Sequence, residues 1–151
     1  MRAALAFSLL LLAAPVGAVE AYHVALDGAT VDPPVTTSCA GSGTVTLGDD
    51  GVTLSYEIHF TNWVNDEFAA HIHELNLPPQ TGEHILEDIA LGPDKIGSIQ
   101  LADVDVDALH QGRLFVLVHT TTHPRGEVKG WIVPAVAAFP QTWGGLKAIY
   151  R

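Results

Sequence analysis

The clearest hydrophobic pattern in the chain lies at 113–133, RLFVLVHTTTHPRGEVKGWIV. In its first half Leu114, Val116 and Val118 share one face of an extended segment, and Phe115, Leu117 and His119 share the other. Both faces stay apolar until His119, which predicts a strand covered on both sides or one that closes a barrel. His123-Pro124-Arg125-Gly126 reads as a tight turn. Pro124 presets φ for the first central position, and Gly126 can take φ > 0 where the chain re-enters a strand. Val128, Gly130 and Ile132 then alternate with Glu127, Lys129 and Trp131. One histidine, His119, ends a strand of core character.

The rest of the chain reads as shorter pieces of the same kind. Tyr22–Asp27 alternates, and Gly28–Ser42 is turn-rich, an edge or loop with Pro33-Pro34 inside it. Gly43–Leu47 is a β segment, and Asp49-Asp50-Gly51 a turn. Along 52–60, Leu54, Tyr56, Ile58 and Phe60 point one way and Thr53, Ser55, Glu57 and His59 the other, a half-buried antiparallel strand. Asn62–Glu67 reads as a loop, Phe68–Glu74 as a strand and Leu77–Gly82 as a Pro/Gly loop. Glu83–Leu91 is a polar strand, Gly92–Gly97 a turn and Ser98–Leu101 a short strand. Asp103–His110 suggests a single helical turn. The sum is about eight short strands with almost no helix, an all-β, antiparallel Greek-key sandwich or barrel. At 140–151 a short helical tail is expected, with Thr142 as cap and Trp143, Leu146 and Ile149 on one side. It reads as a strap on the barrel or as a docking or sorting tag.

Composition places this domain outside the cytoplasm. The first residues have the form of a secretory signal: Arg2, an apolar run over Ala3–Ala14 broken only by Ser8, then the small residues of Val16-Gly17-Ala18. The run is too short for a membrane span, so we expect a signal peptide over 1–18, cleaved after Ala18 or alternatively after Ala21, and a secreted or periplasmic product. No later segment is long and apolar enough to cross a bilayer. The 151 residues carry a formal net charge of −10, and removing Arg2 leaves six basic against 17 acidic side chains. Such a chain has nothing with which to neutralise phosphates, which excludes a nucleic-acid partner. The single cysteine, Cys39, cannot form an internal disulfide; it reads as a small semi-buried residue, with intermolecular pairing open.

The candidate chemistry is histidine. In His71-Ile72-His73 the two imidazoles share one face of a strand while Ile72 points into the core. Two such rings can chelate one ion, or they can be paired surface or hydrogen-bonded histidines. If His119 lies on a neighbouring strand, three imidazoles form a site suited to copper or zinc with a position left for water. His84 and His123 are candidates for a fourth ligand, His123 more simply as the first residue of its turn. His23, His59 and His110 read as surface residues, and Glu74 as a surface charge facing away from His73. There is no Gly-x-Ser-x-Gly, no phosphate-cradling loop and no marked carboxylate pair.

One set of motifs resembles a known family. Asp32-Pro33-Pro34, Gly41-Ser42-Gly43, the 54–60 strand, Ala70-His71-Ile72-His73, Leu109-x-x-Gly112, and Val118-His119-Thr120 through Pro124-x-Gly126-Glu127-Val128-x-Gly130 are similar to the CHRD domain, named for the repeats of chordin. The resemblance runs from about Tyr22 to Pro134 and implies a domain over 19–134, followed by a tail over 135–151. Lys129 stands where the family often has Arg, and His84 where an apolar residue or Pro is usual. The family implies a β-rich exported binding module; in chordin the repeats belong to a protein that binds and restrains growth factors, while bacterial members are mostly single domains without an assigned ligand. A second resemblance is to copper-zinc superoxide dismutase, which also has a His-x-His strand and a late Val-His strand; the corresponding positions are His71, His73 and His119. That enzyme's cysteine pair, long zinc loop and arginine segment have no counterpart here. The expectations are thus an exported binding module of unassigned ligand acting through its surface on an unknown protein or metal, a copper or zinc binder, or, third, a metal-dependent redox enzyme.

Overall fold

The computed structural model describes residues 18–63, 66–78 and 82–135. The expected tail helix and all but the last residue of the expected signal lie outside them. Eight strands follow in order: β1 (Glu20–Leu26), β2 (Ala40–Leu47), β3 (Thr53–Thr61), β4 (Glu67–Leu75), β5 (Glu83–Asp88), β6 (Asp94–Gln100), β7 (Leu114–Thr120) and β8 (Val128–Pro134). One helix, α1 (Asp103–His110), links β6 to β7. All pairings are antiparallel, in the order β5-β4-β7-β8-β1-β2-β3-β6, so one sheet curls into a nearly closed barrel with β5 and β6 at its edges.

Alternation decides what fills the barrel. Tyr22, Val24 and Leu26 of β1, Leu54, Tyr56 and Ile58 of β3, Ala70 and Ile72 of β4, and Leu114, Val116 and Val118 of β7 all enter one core. α1 is longer than the single turn expected. It plugs the barrel with Ala108 and Leu109, both fully buried, and its Asp103 and Asp105 sit where the helix dipole favours anions. At the β7–β8 turn Gly126 adopts φ +134°, packed against Leu117 and Val31, so any side chain there would be strained and crowded.

Two polar readings need correction. β6 begins at Asp94, inside the stretch expected to be a turn, because Lys95 pairs opposite Ile58 and is fully buried. Its ammonium donates to Glu67 Oε1 at 2.6 Å, to the Ala90 carbonyl at 2.9 Å and to the Gly92 carbonyl at 3.1 Å, with the Trp63 and Phe60 rings beside it. A lysine is tolerated inside only with such a complete set of partners. At the other edge, the strand expected over Glu83–Leu91 stops at Asp88.

β7 is covered on both sides, as its pattern predicts: residues 114–118 are all buried, and Val118 is fully so. Val118→Ala is expected to cost about 2–3 kcal/mol of stability through the cavity it opens. His119→Ala, on the half-buried outer face, is expected to cost less. Urea midpoints of the two variants check the order, and equal or reversed losses would contradict this facing.

Candidate functional site

Pairing of β4 with β7 builds the site on the outer face of the sheet. The register sets Ala69 opposite His119, His71 opposite Leu117 and His73 opposite Phe115. Because Ala70 and Ile72 point into the core, His71 and His73 point out, and because Val118 points in, His119 joins them. The three ring centroids lie 4.9 to 6.0 Å apart, and one ligand nitrogen from each ring falls within 4.8 Å of the others. Imidazole–metal bonds of about 2.0–2.1 Å would require ligand nitrogens within about 4 Å of one another.

Each ring is held by something other than its ligand atom. His119 follows the last core residue of β7, and Thr121 and Thr122 beyond it are fastened by Asp66. Asp66 accepts from the Thr121 hydroxyl at 2.7 Å, the Thr122 hydroxyl at 2.8 Å and the Thr122 N–H at 3.1 Å. Those hydroxyls hold the Asp66 carboxyl below the usual carboxylate range. Across the turn, the Thr120 hydroxyl donates to Glu127 at 3.2 Å, and His123 pairs with the same carboxylate. His119 Nδ1 then donates to the Pro124 carbonyl at 3.1 Å. That bond fixes the tautomer and leaves Nε2 with a lone pair. His71 Nε2 faces Asp88 Oδ1 of β5 at 3.3 Å, which leaves its Nδ1 as the free nitrogen. His73 stacks on Phe115, centroids 5.1 Å apart and planes 6° from parallel.

The free nitrogens have no partner. His71 Nδ1, both nitrogens of His73 and His119 Nε2 are buried without a hydrogen bond among the described residues. Burial first, then the neighbouring His71, pushes His73 down to about 4. Burial also lowers His119, outweighing the Pro124 carbonyl that favours its protonated form. At neutral pH these two rings are therefore uncharged and carry lone pairs. A neutral imidazole oriented by a carbonyl or carboxylate on its other nitrogen is the usual form of a metal-ligating histidine.

His84 stands apart from the three. It lies opposite Glu74, one residue past His73, so a period of two turns it to the other face. There it bonds Asn76 at 2.9 Å and lies 3.4 Å from Glu74. A fourth ligand from His84 is thus not available to the outer face. Glu74 is corrected as well. It is buried at the end of the barrel, where it pairs with Arg113, rather than being a surface charge. His123 is committed to Glu127, and His59, His23 and His110 are exposed. The residues missed by sequence reasoning are Asp88 and the Pro124 carbonyl, together with Lys129. The last is buried over Phe115 and paired with Glu83 at 2.7 Å. In the sequence, Asp88 is one of several acids on a polar strand, and only the β4–β5 register singles it out.

Comparison of the sequence with known proteins identifies a family. Chordin of Xenopus laevis is 32% identical over 123 residues, covering 75% of this chain but only 13% of the relative, so the chain spans about an eighth of that protein's length. No solved structure gives a significant match. A sequence model of the CHRD domain matches residues 22–132, which include all eight strands except the first residues of β1 and the last of β8, and all three outward histidines. The chain belongs to the CHRD domain family.

Proposed function

We propose that this domain is an exported binding module whose ligand is a transition-metal ion, copper or zinc, held by His71, His73 and His119. The observation that carries this reading is the set of buried ring nitrogens that converge without partners. A buried polar atom left unpaired costs roughly 1–3 kcal/mol, so a group of them aimed at one point asks for a ligand. The donor set narrows the choice. Three imidazole nitrogens suit zinc or copper and are poor ligands for calcium or magnesium, which take oxygen. The orienting partners, Asp88 and the Pro124 carbonyl, are of the kind that fix ligating histidines.

Proton and metal compete for the same lone pairs. In the metal-free protein His73 has a folded pKa near 4 against 6.5 unfolded. The unfolded chain therefore binds more protons between those values. The stability due to this ring is complete above about pH 6.5 and is lost as pH falls toward 4, on the order of 2–3 kcal/mol. His59 acts in the opposite sense, since Asp94 and then Glu57 raise its pKa, so the diagnostic quantity is a difference. Chelator-treated wild type is expected to weaken between pH 6.5 and 4.5 by more than His73→Gln does, as read from urea midpoints. Parallel pH profiles would contradict the burial of a neutral ring.

With metal, calorimetry at pH 7.5 is expected to give one Zn(II) or Cu(II) per chain, bound more weakly at pH 5.5. Alanine at His71, His73 or His119 is expected to weaken binding by about 100-fold or more, because each removes a third of the ligand set. His84→Ala is expected to leave it unchanged. Absence of binding at micromolar metal, or equal loss in His84→Ala, would overturn the proposal.

A further inference from the structure

The three histidines are not equally accessible, and the difference has a direction. His73 and Phe115 are buried, and on their flank Lys129 lies over the Phe115 ring at 3.8 Å and is locked to Glu83. That side is closed by buried side chains and an ion pair. His71 is on the other side, at 14% exposure, with Asp88 beyond it at 86%. Between them opens a cleft of about 270 Å³ whose walls include Phe68, His71, Asp88, Ile89 and Leu91. Phe68 and Leu91 are exposed at its rim, and the Phe68 ring is 6.1 Å from that of His119. The cleft sits beside β5, an edge strand with one neighbour, next to the irregularity in register between Ile72 and His73.

Resting on the metal-binding reading above, we infer that the ion enters and leaves the three-histidine site through this cleft, and that Asp88 receives it from solvent and passes it to His71. The physical reasons are charge and reach. An exposed carboxylate at the mouth of a cleft in a chain of net charge −10 raises the local concentration of cations, whereas the Lys129 flank is closed by packing and its charge is paired with Glu83. Asp88 is already within 3.3 Å of the outer nitrogen of His71. A carboxylate oxygen can hold an arriving divalent cation while His71 turns its free Nδ1 toward it.

Stopped-flow transfer of Zn(II) between a chromophoric chelator and the full chain tests this, with Asp88→Asn and Leu91→Trp. Asp88→Asn keeps a side chain of the same shape beside His71 but removes the charge. It is expected to slow association by about tenfold and to flatten its dependence on salt. Leu91→Trp crowds the rim without touching a ligand. It is expected to slow association and dissociation by similar factors, leaving the dissociation constant within about twofold of wild type, since a barrier changes rates and not equilibria. Unfolding midpoints equal to wild type certify both folds. If wild type binds zinc but neither variant changes the association rate, the route is wrong and the site stands. If Asp88→Asn changes only dissociation, Asp88 is a clamp on His71 and not a relay, which also overturns the inference. If wild type takes up no zinc, the metal reading itself falls.

Discussion

The structure depends most on the pairing of β4 with β7. It joins residues about 45 positions apart, and its register sets Ala70 opposite Val118 and Ile72 opposite Val116. Both strands present their small and branched residues to the core on alternate positions, so the register is fixed by burial. A shift of one residue would put His71 and His73 in the barrel and Ile72 in solvent. The same constraint that fills the core therefore projects three imidazoles from two strands onto one patch of the outer face. The site is a consequence of packing on the opposite side of the sheet.

That outer patch is half core and half site. Phe115 is fully buried and Leu117 nearly so, with Val31 from the β1–β2 connection closing over the turn beside Gly126. Burial of this second face supplies apolar surroundings for His73 and lowers its basicity. Burying ring nitrogens unpaired opposes folding by roughly 1–3 kcal/mol for each group. The apolar neighbours and the stacked Phe115 offset it, at the scale of about 25 cal/mol for each Å² removed from water. The patch thus keeps three lone pairs available instead of satisfying them.

Charge is handled in the same way at the two ends of β4. Near its start Glu67 neutralises the buried Lys95, and near its end Glu74 pairs with Arg113. Each buried ion has a partner and further hydrogen bonds, as low-dielectric burial requires. Between these pairs, among the described residues, both nitrogens of His73 and Nδ1 of His71 are buried without a hydrogen bond, and His71 Nε2 meets only the exposed Asp88.

The fold was legible in the sequence because its cause is local. Period-two alternation in 52–60 and 113–118, the Pro124–Gly126 turn and the Asp49-Asp50-Gly51 turn place strands and hairpins without knowledge of neighbours, and the motifs through Gly130 carry the family. The sharing of one face by His71 and His73 follows from the same period. What the sequence misread was polar: Lys95 was taken into a turn and Glu74 onto the surface, because a single chain does not show which ion will meet which. Likewise His84 and His119 were both free to join the pair until registers were set. β4–β7 pairing brought His119 in through Ala69, and β4–β5 pairing turned His84 away through Glu74. Alternation along a strand is a property of the backbone and is written in the sequence. Which strands lie side by side, in what register and under what cover, is decided by long-range burial, and only the tertiary structure settles it.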